Sequence, residues 1–414
     1  MVDSKHQSSH LSPYEKMILK NKQEKMKFLQ SLKIDEAKED FTSSVRKIKP
    51  VRKPVKRVNK KFKPTFTPIR KSRRLAKLDV DLSEDALYYN AVNKGKSRGR
   101  DLKLSEDNIA KVVPARISSM DIHPHPQNVI VCAGSKYGSM GFWNVLADSE
   151  PFLCHTHSEG ITNVKFNPFD ASKLISSSYD CTLRCGDMEK EMFEEVHVNE
   201  TSLTYFDFLS APVFIVSQQN GKVSIVDTRS SRKHAVSHSC HDNKVKTVSV
   251  HPLERSYFVT SDTKGMIRVW DLRKLQKLPI ATNKPHKRSI NSAFFSPVTG
   301  KNILSTSFDD TLAILDSSII SKDIKLKTAC RHNNFTGRWL TPFRATWLPN
   351  SDEHFVIGGM GYPRKIEVFD HDLNHAHKFI DENLNSICSV NVFHPNRPVL
   401  AGGNSSGKVY VYMN

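Results

Sequence analysis

The side chains best equipped to move protons are four histidines, His157, His241, His286 and His332, and two aspartates, Asp180 and Asp309. A histidine beside a carboxylate is the general-base arrangement of many hydrolytic sites. Here the arrangement recurs. Each histidine stands a few residues ahead of a repeating unit, and Asp180 and Asp309 each lie seven residues before the aspartate that closes its unit, Asp187 or Asp316. A pair found once could be an active site; a pair at the same place in successive units is expected to be a buried structural hydrogen bond. No nucleophile elbow, P-loop, HExxH helix or glycine-rich dinucleotide loop is present. Asp309 and Asp310 sit in a turn without visible metal partners, and the glycine pairs at 358–359 and 402–403 end strands. The seven cysteines are scattered, and the close pair Cys181 and Cys185 has no second pair at zinc-site spacing. The expectation is a protein without catalytic residues, metal or cofactor, its thiols reduced.

Binding chemistry is better represented. The stretch Arg331–Arg344 holds Arg338 beside Trp339, a cation and a large ring that together can neutralise a phosphate and stack on a base. Further cations, Arg116, Lys136, Lys244, Arg288, Arg364 and Lys365, fall near predicted strand ends on one rim, and Arg344 closes the Arg-Trp stretch. Phosphate binding needs several cations on one face. Two Asp-x-Arg motifs, Asp227–Arg229 and Asp271–Arg273, follow the closing aspartates of adjacent units, so they must also recur in space. Each arginine can either reach a partner or fold back on its own unit.

From residue 116 onward the elements that position these groups are short strands of alternating apolar residues. The units close at Asn144, Asp187, Asp227, Asp271, Asp316, Asp370 and Tyr412, at intervals of 43, 40, 44, 45, 54 and 42 residues. That is the WD-repeat period, and Trp270–Asp271 is its name-giving dipeptide. The long interval contains the Arg-Trp stretch. Such a unit cannot cover both of its own faces and must pack radially on its neighbours. The fold class is therefore all-β: a seven-bladed WD-repeat β-propeller over residues 108–414, with residues 109–114 supplying the outer strand of the last blade and latching the ring. In front lie a segment 1–40 with a helix over 13–33, a basic segment 41–78 expected to be disordered, and a linker 79–107 with a short helix from Ser83. Residues 41–78 hold fifteen Lys or Arg and no Asp or Glu, most of the net charge of +19. Within them Arg70, Lys71, Arg73 and Arg74 read as a nuclear-import cluster, so the nucleus is the expected location. No signal-peptide core or apolar membrane run is visible, and the chain reads as a monomer.

The loop HNNFTGRWLTPFRA, the stretch AGSKYGSMGFWN and the segments LSPYEKMILKNKQEKMKFLQSL and KSRRLA resemble the WD repeat-containing protein 76 family, whose yeast members are the changed-mutation-rate proteins. The similarity covers residues 12–33 and 70–414 and extends more distantly to the small subunit of the UV-damaged-DNA-binding complex. It implies a nuclear protein of genome maintenance that binds double-stranded DNA, damaged duplex preferentially. It places phosphate contacts on Arg116, Lys136 and Lys244. The position of the relative's DNA wedge falls on Arg338 and Trp339, which differ from that wedge. The Asp-x-Arg motifs resemble those of substrate receptors for cullin-4 RING ubiquitin ligases, with Arg229 and Arg273 as docking residues. The alternatives are such a receptor, or a chromatin scaffold that binds protein peptides on the rim.

Overall fold

The computed structural model describes residues 102–414 except 148, 191, 231–234, 276–277 and 321–322. The expected helix over 13–33, the basic segment with Arg70, Lys71, Arg73 and Arg74, and the short helix from Ser83 lie outside the described residues. Among the described residues no helix is long and apolar enough to cross a membrane.

Seven four-stranded antiparallel sheets follow one another as blades. In the first, the strands are Ile117–Ile122, Ile130–Ser135, Ser139–Asn144 and Phe152–His155, running from the central axis outward. The alternation of the sequence leaves apolar side chains on both faces of each blade, and they are buried in seven clusters, one at each seam between neighbours. At the seam of the second and third blades, for example, Ile175 and Leu183 pack on Phe206, Phe214 and Val216. Polar side chains of the innermost strands tie blades together as well. Asp121 accepts from the Phe166 amide at 2.7 Å, and Asp207 from the Val250 amide at 2.8 Å.

The last blade has three strands of its own, Val390–Phe393, Leu400–Gly403 and Lys408–Met413. Its fourth is Lys103–Lys111, antiparallel to Lys408–Met413, with Ile109 opposite Tyr410 and Lys111 opposite Lys408. The latch thus starts earlier and stops sooner than residues 109–114, and the boundary drawn at 108 falls inside a strand. The acidic run Ser105–Asn108 hid its first half. The register breaks between Leu104 and Ile109, so the acidic residues bulge to solvent while Leu102 and Leu104 anchor against Tyr410, Tyr412 and Phe379.

The recurring histidines are structural. His241 faces Asp262 at 3.2 Å through Nδ1 and Thr260 at 2.8 Å through Nε2, and the Trp270 indole donates to the same threonine at 2.9 Å. His157 joins Asp180 and Ser176 at 2.9 and 2.8 Å. His286 lies 3.4 Å from Asp309 and bonds Thr311 and Ser305, both at 2.8 Å. Asp180 and Asp309 therefore occupy their expected places. Two other carboxylates escape the seven-residue spacing: Asp262, at the end of a second strand, and Glu367, 3.1 Å from His332 within a third strand. Burial raises the Glu367 pKa, but the His332 hydrogen bond and charge, with Lys365 beside it, more than offset this and hold it at about 2.

In blades one, three and four the turn ahead of the third strand brings a glycine, Gly138, Gly221 or Gly265, against the carbonyl of the incoming histidine. Gly221 has φ +86, and a Cβ there would strike the His241 carbonyl oxygen. Gly221→Ala is expected to cost about 2 kcal/mol or more in urea unfolding. Gly337→Ala, at φ +57 with nothing within 4 Å, is expected to cost about 1 kcal/mol. Glu367 has a folded pKa below its unfolded value. Its contribution is complete above about pH 4.5 and disappears as pH falls from there toward 2. Melting curves should drop through that window, and Glu367→Gln should lower the melting temperature at pH 7 while flattening the acid limb.

Candidate nucleic-acid interface

Adjacent strands run antiparallel, so the segment entering a blade and the turn between its second and third strands open on the same rim. Arg116 precedes Ile117–Ile122, Lys244 precedes Val245–Val250, Arg288 precedes Ile290–Phe295, and Lys136 lies between Ser135 and Ser139. Arg338, Trp339 and Arg344 precede Thr346–Trp347, and Arg364 directly precedes Lys365–Asp370. All of these belong to one rim, called here the upper rim. Asp227–Arg229 and Asp271–Arg273 follow third strands and belong to the opposite, lower rim.

Aromatic rings stand among the upper cations. The Lys136 ammonium is 5.4 Å from the Tyr137 ring, Lys244 is 4.8 Å from Tyr179, and the Arg364 guanidinium is 5.6 Å from Tyr362. Tyr137, Tyr179, Phe335, Trp339 and Tyr362 are all exposed, Trp339 at 85% and Tyr362 at 87%. Large rings left in water on one face mark a surface made to be covered. These tyrosines carry no repeat signature, and spacing alone did not single them out. The available signal was a ring within two residues of a rim turn.

The Arg-Trp stretch is an arch. At its start Asn334 is fastened to blade five, its side-chain amide donating to the Ser307 carbonyl at 2.9 Å and its backbone amide to the Asp310 carboxylate at 2.8 Å. The chain then crosses to blade one. There Arg116 donates from one Nη1 to the carbonyls of Arg338 at 2.7 Å and Leu340 at 3.3 Å, and the Thr341 hydroxyl donates to the Ile117 carbonyl. It returns to blade six with Phe343 fully buried. Arg116, expected from the resemblance to meet phosphate, holds this loop through Nη1. With the backbone carbonyls held from below, the Arg338 and Trp339 side chains remain exposed.

Arg344 sits further in, its guanidinium 5.3 Å from the Tyr205 ring of blade three. Arg364 donates to the Met360 carbonyl at 3.0 Å, and Lys365 is paired with Glu367 at 3.3 Å. Arg288 is exposed.

On the lower rim both arginines fold back. Arg229 grips Asp227 with Nε and Nη2 at 3.0 and 2.7 Å, and Arg273 grips Asp271 at 2.9 Å through both nitrogens while reaching the Tyr257 hydroxyl at 3.2 Å. The Arg229 side-chain bonds hold the Asp227 carboxyl at about 2. Both guanidinium groups still present a face to solvent. No group of His, Cys, Asp or Glu suited to a metal occurs among the described residues.

Residues 150–187 match the family model described as WD domain, G-beta repeat. A fungal protein of Neurospora crassa named DNA damage-binding protein cmr1 is 27% identical over 75% of this chain and 68% of its own length. The WD repeat-containing protein 76 of Xenopus laevis is 42% identical over 75% of this chain, which spans 55% of that relative. That of Rhinolophus ferrumequinum is 35% identical over 98% of this chain and 74% of the relative. On this likeness the chain belongs to the WD repeat-containing protein 76 family.

Proposed function

We propose that the chain acts by binding rather than catalysis, as a nuclear protein that engages duplex DNA through its upper rim and prefers damaged duplex. One observation carries the reading: cations and exposed rings are interleaved on a single rim, with Trp339 at the apex of a fastened arch. The cations supply sequence-independent affinity by releasing counterions. The rings stack on bases wherever the duplex is unstacked or distorted, which a lesion makes cheaper. The name carried by the fungal relatives, DNA damage-binding protein, agrees with this.

In this reading Arg116 acts through the arch, while Lys136 and Lys244 act on phosphate. Fluorescence anisotropy of the full chain on a short duplex, with and without a UV lesion, across a salt series separates the roles. Replacing both Lys136 and Lys244 by Ala should weaken all duplexes and reduce the slope of log affinity on log salt by about two. Trp339→Ala should lower affinity for the lesion duplex more than for the intact one. Arg116→Ala should behave like Trp339→Ala with little change in slope, and the two should be non-additive in a double-mutant cycle. An Arg116→Ala effect confined to the slope would return that residue to the phosphate contacts. If deleting residues 41–78 removes all DNA affinity, the rim is instead a peptide-binding surface of a chromatin scaffold.

A second reading rests on the lower rim, where the two Asp-x-Arg motifs repeat on adjacent blades. There they suit docking to the adaptor of a cullin-4 RING ubiquitin ligase. The rims are opposed, so one molecule can hold DNA and an adaptor together. Arg273→Ala should abolish adaptor capture by the purified protein and leave duplex affinity unchanged; retained capture would remove the motifs as the docking site.

A further inference from the structure

At the centre of the ring lies a cavity of about 340 Å³, lined by the innermost strands. That is the small end of the roughly 300–1,000 Å³ of ligand pockets. In every blade a buried apolar residue opens the innermost segment and a polar one follows it, as Ser118 follows Ile117 and Arg344 follows Phe343. In the first three blades the propeller itself satisfies that polar residue. Ser118 donates to the Ile161 carbonyl at 2.5 Å, Thr162 bonds Ser177 at 2.8 Å, and Thr204 donates to the Val245 carbonyl at 2.7 Å. Lys246 and Asn291 hold the place in blades four and five and do not line the cavity.

Blades six and seven depart from this pattern. There the place belongs to Arg344 and Ser389, and both line the cavity, as does Asn391. Ser389 is 2% exposed, and its hydroxyl has no hydrogen-bond partner among the described residues. Asn391 donates from its side-chain nitrogen to the Cys388 carbonyl at 3.1 Å, which leaves its buried side-chain oxygen without a partner among the described residues. The half-buried Arg344 side chain makes no hydrogen bond or ion pair among the described residues, and its guanidinium lies 5.3 Å from the Tyr205 ring. The three residues are neighbours. Phe343 and Cys388 meet at Gly358, where an added Cβ would strike the Cys388 carbonyl and crowd the Phe343 ring. Arg344 and Ser389 each come next in the chain, and Asn391 lies two residues further down the same segment.

Water satisfies a lone hydroxyl or carbonyl in a polar cavity, but it gives a guanidinium no counter-charge. The planar fork of an arginine matches a carboxylate. A dianion is disfavoured, because the Asp121 carboxylate lines the same cavity and Lys165, beside it, is paired with Asp207 at 3.0 Å. The Asn391 oxygen requires an N–H. An acidic amino-acid residue carries a carboxylate and a backbone N–H a few atoms apart.

We propose that the central cavity binds an acidic amino-acid residue, its carboxylate held by Arg344, its N–H by the Asn391 side-chain oxygen, and Ser389 bonding what remains. The residue can belong to a partner's peptide or be a free amino acid. The site does not rest on the DNA reading above.

The test is calorimetric titration and thermal melting of the full chain with three probes: free glutamate, an end-blocked glycine pentapeptide with a central glutamate, and the same peptide with glutamine. The glutamate peptide should bind saturably and raise the melting temperature. The glutamine peptide should bind about tenfold more weakly. Arg344→Gln should reduce the affinity for the glutamate peptide to that for the glutamine peptide. Without a probe, Arg344→Gln should melt no lower than the native protein, so a folding defect cannot stand in for a lost site. Free glutamate binding as tightly as its peptide assigns the site to a free amino acid; binding of the peptide alone assigns it to a partner. Equal affinity of the two peptides, equal affinity of native protein and Arg344→Gln, or no binding of any probe overturns the site. If Arg344→Gln weakens a short duplex and leaves the glutamate peptide unaffected, the arginine belongs to the DNA surface instead. The DNA reading stands or falls separately on Lys136 and Trp339.

Discussion

A sheet of four short strands with apolar side chains on both faces cannot be stable alone, and everything in this molecule follows from how that deficit is met. Each face is covered by the next blade, so the seams hold the core and the ring must close. Closure depends on one pairing, Lys103–Lys111 against Lys408–Met413. Without it the last blade would present an unpaired edge of backbone donors and acceptors, and Leu102 and Leu104 would leave the seam they share with Tyr410 and Phe379. The latch joins residues separated by almost the whole propeller in sequence. The geometry of the first and last blades, including the Ile117 carbonyl that receives the arch, is therefore fixed only once the ring is complete.

Closure also sorts the chemistry. Antiparallel strands send the entry segments and the inner turns of every blade to one rim and the remaining turns to the other. Lysines and arginines from residues 116 to 364, scattered along the chain, consequently meet on one surface. The Asp-x-Arg motifs, although they lie between those residues in sequence, are turned to the opposite surface. Repetition sets which rim a residue reaches, and departures from repetition set what happens there. The arch is the interval that breaks the period, and Lys246 occupies a place that Thr162 and Thr204 take in the preceding blades, where each bonds within its own blade to Ser177 or Ser217 at 2.8 Å.

The architecture was legible in the sequence because a propeller is periodic. Closing residues at intervals of 40–54 locate all seven third strands, and the histidine positions reappear with their hydroxyl and carboxylate partners. Features that break the pattern were not legible. Asp262 and Glu367 do the work of Asp180 and Asp309 from other strand positions, because any carboxylate reaching the same imidazole satisfies it. The start of the latch was hidden by Ser105–Asn108, whose polar residues fall largely in the segment read as linker but lie in a strand whose register breaks there. Arg116 shows the larger limit. Its Nη1 donates to carbonyls more than 220 residues away, and no local pattern encodes a contact made only after the ring has closed.

The arch carries a cost that indicates its purpose. A loop of this length could lie flat and bury Trp339, gaining roughly 2 kcal/mol or more from the area of an indole removed from water. Instead one arginine and one threonine of this chain hold the backbone across the pore and leave the ring exposed. Fixing the backbone beforehand removes much of the ordering entropy that a flexible loop would lose on binding. A rigid ring beside a cation is suited to a gap that already exists in its target, since it does not have to open one. A duplex with intact stacking offers no such gap, whereas one weakened by damage does, and the difference in unstacking cost becomes the difference in affinity. Under the function proposed above, selectivity for distorted duplex would be a property of the whole ring: blade one supplies the anchor, blades five and six supply the loop, and the latch keeps them at a fixed distance.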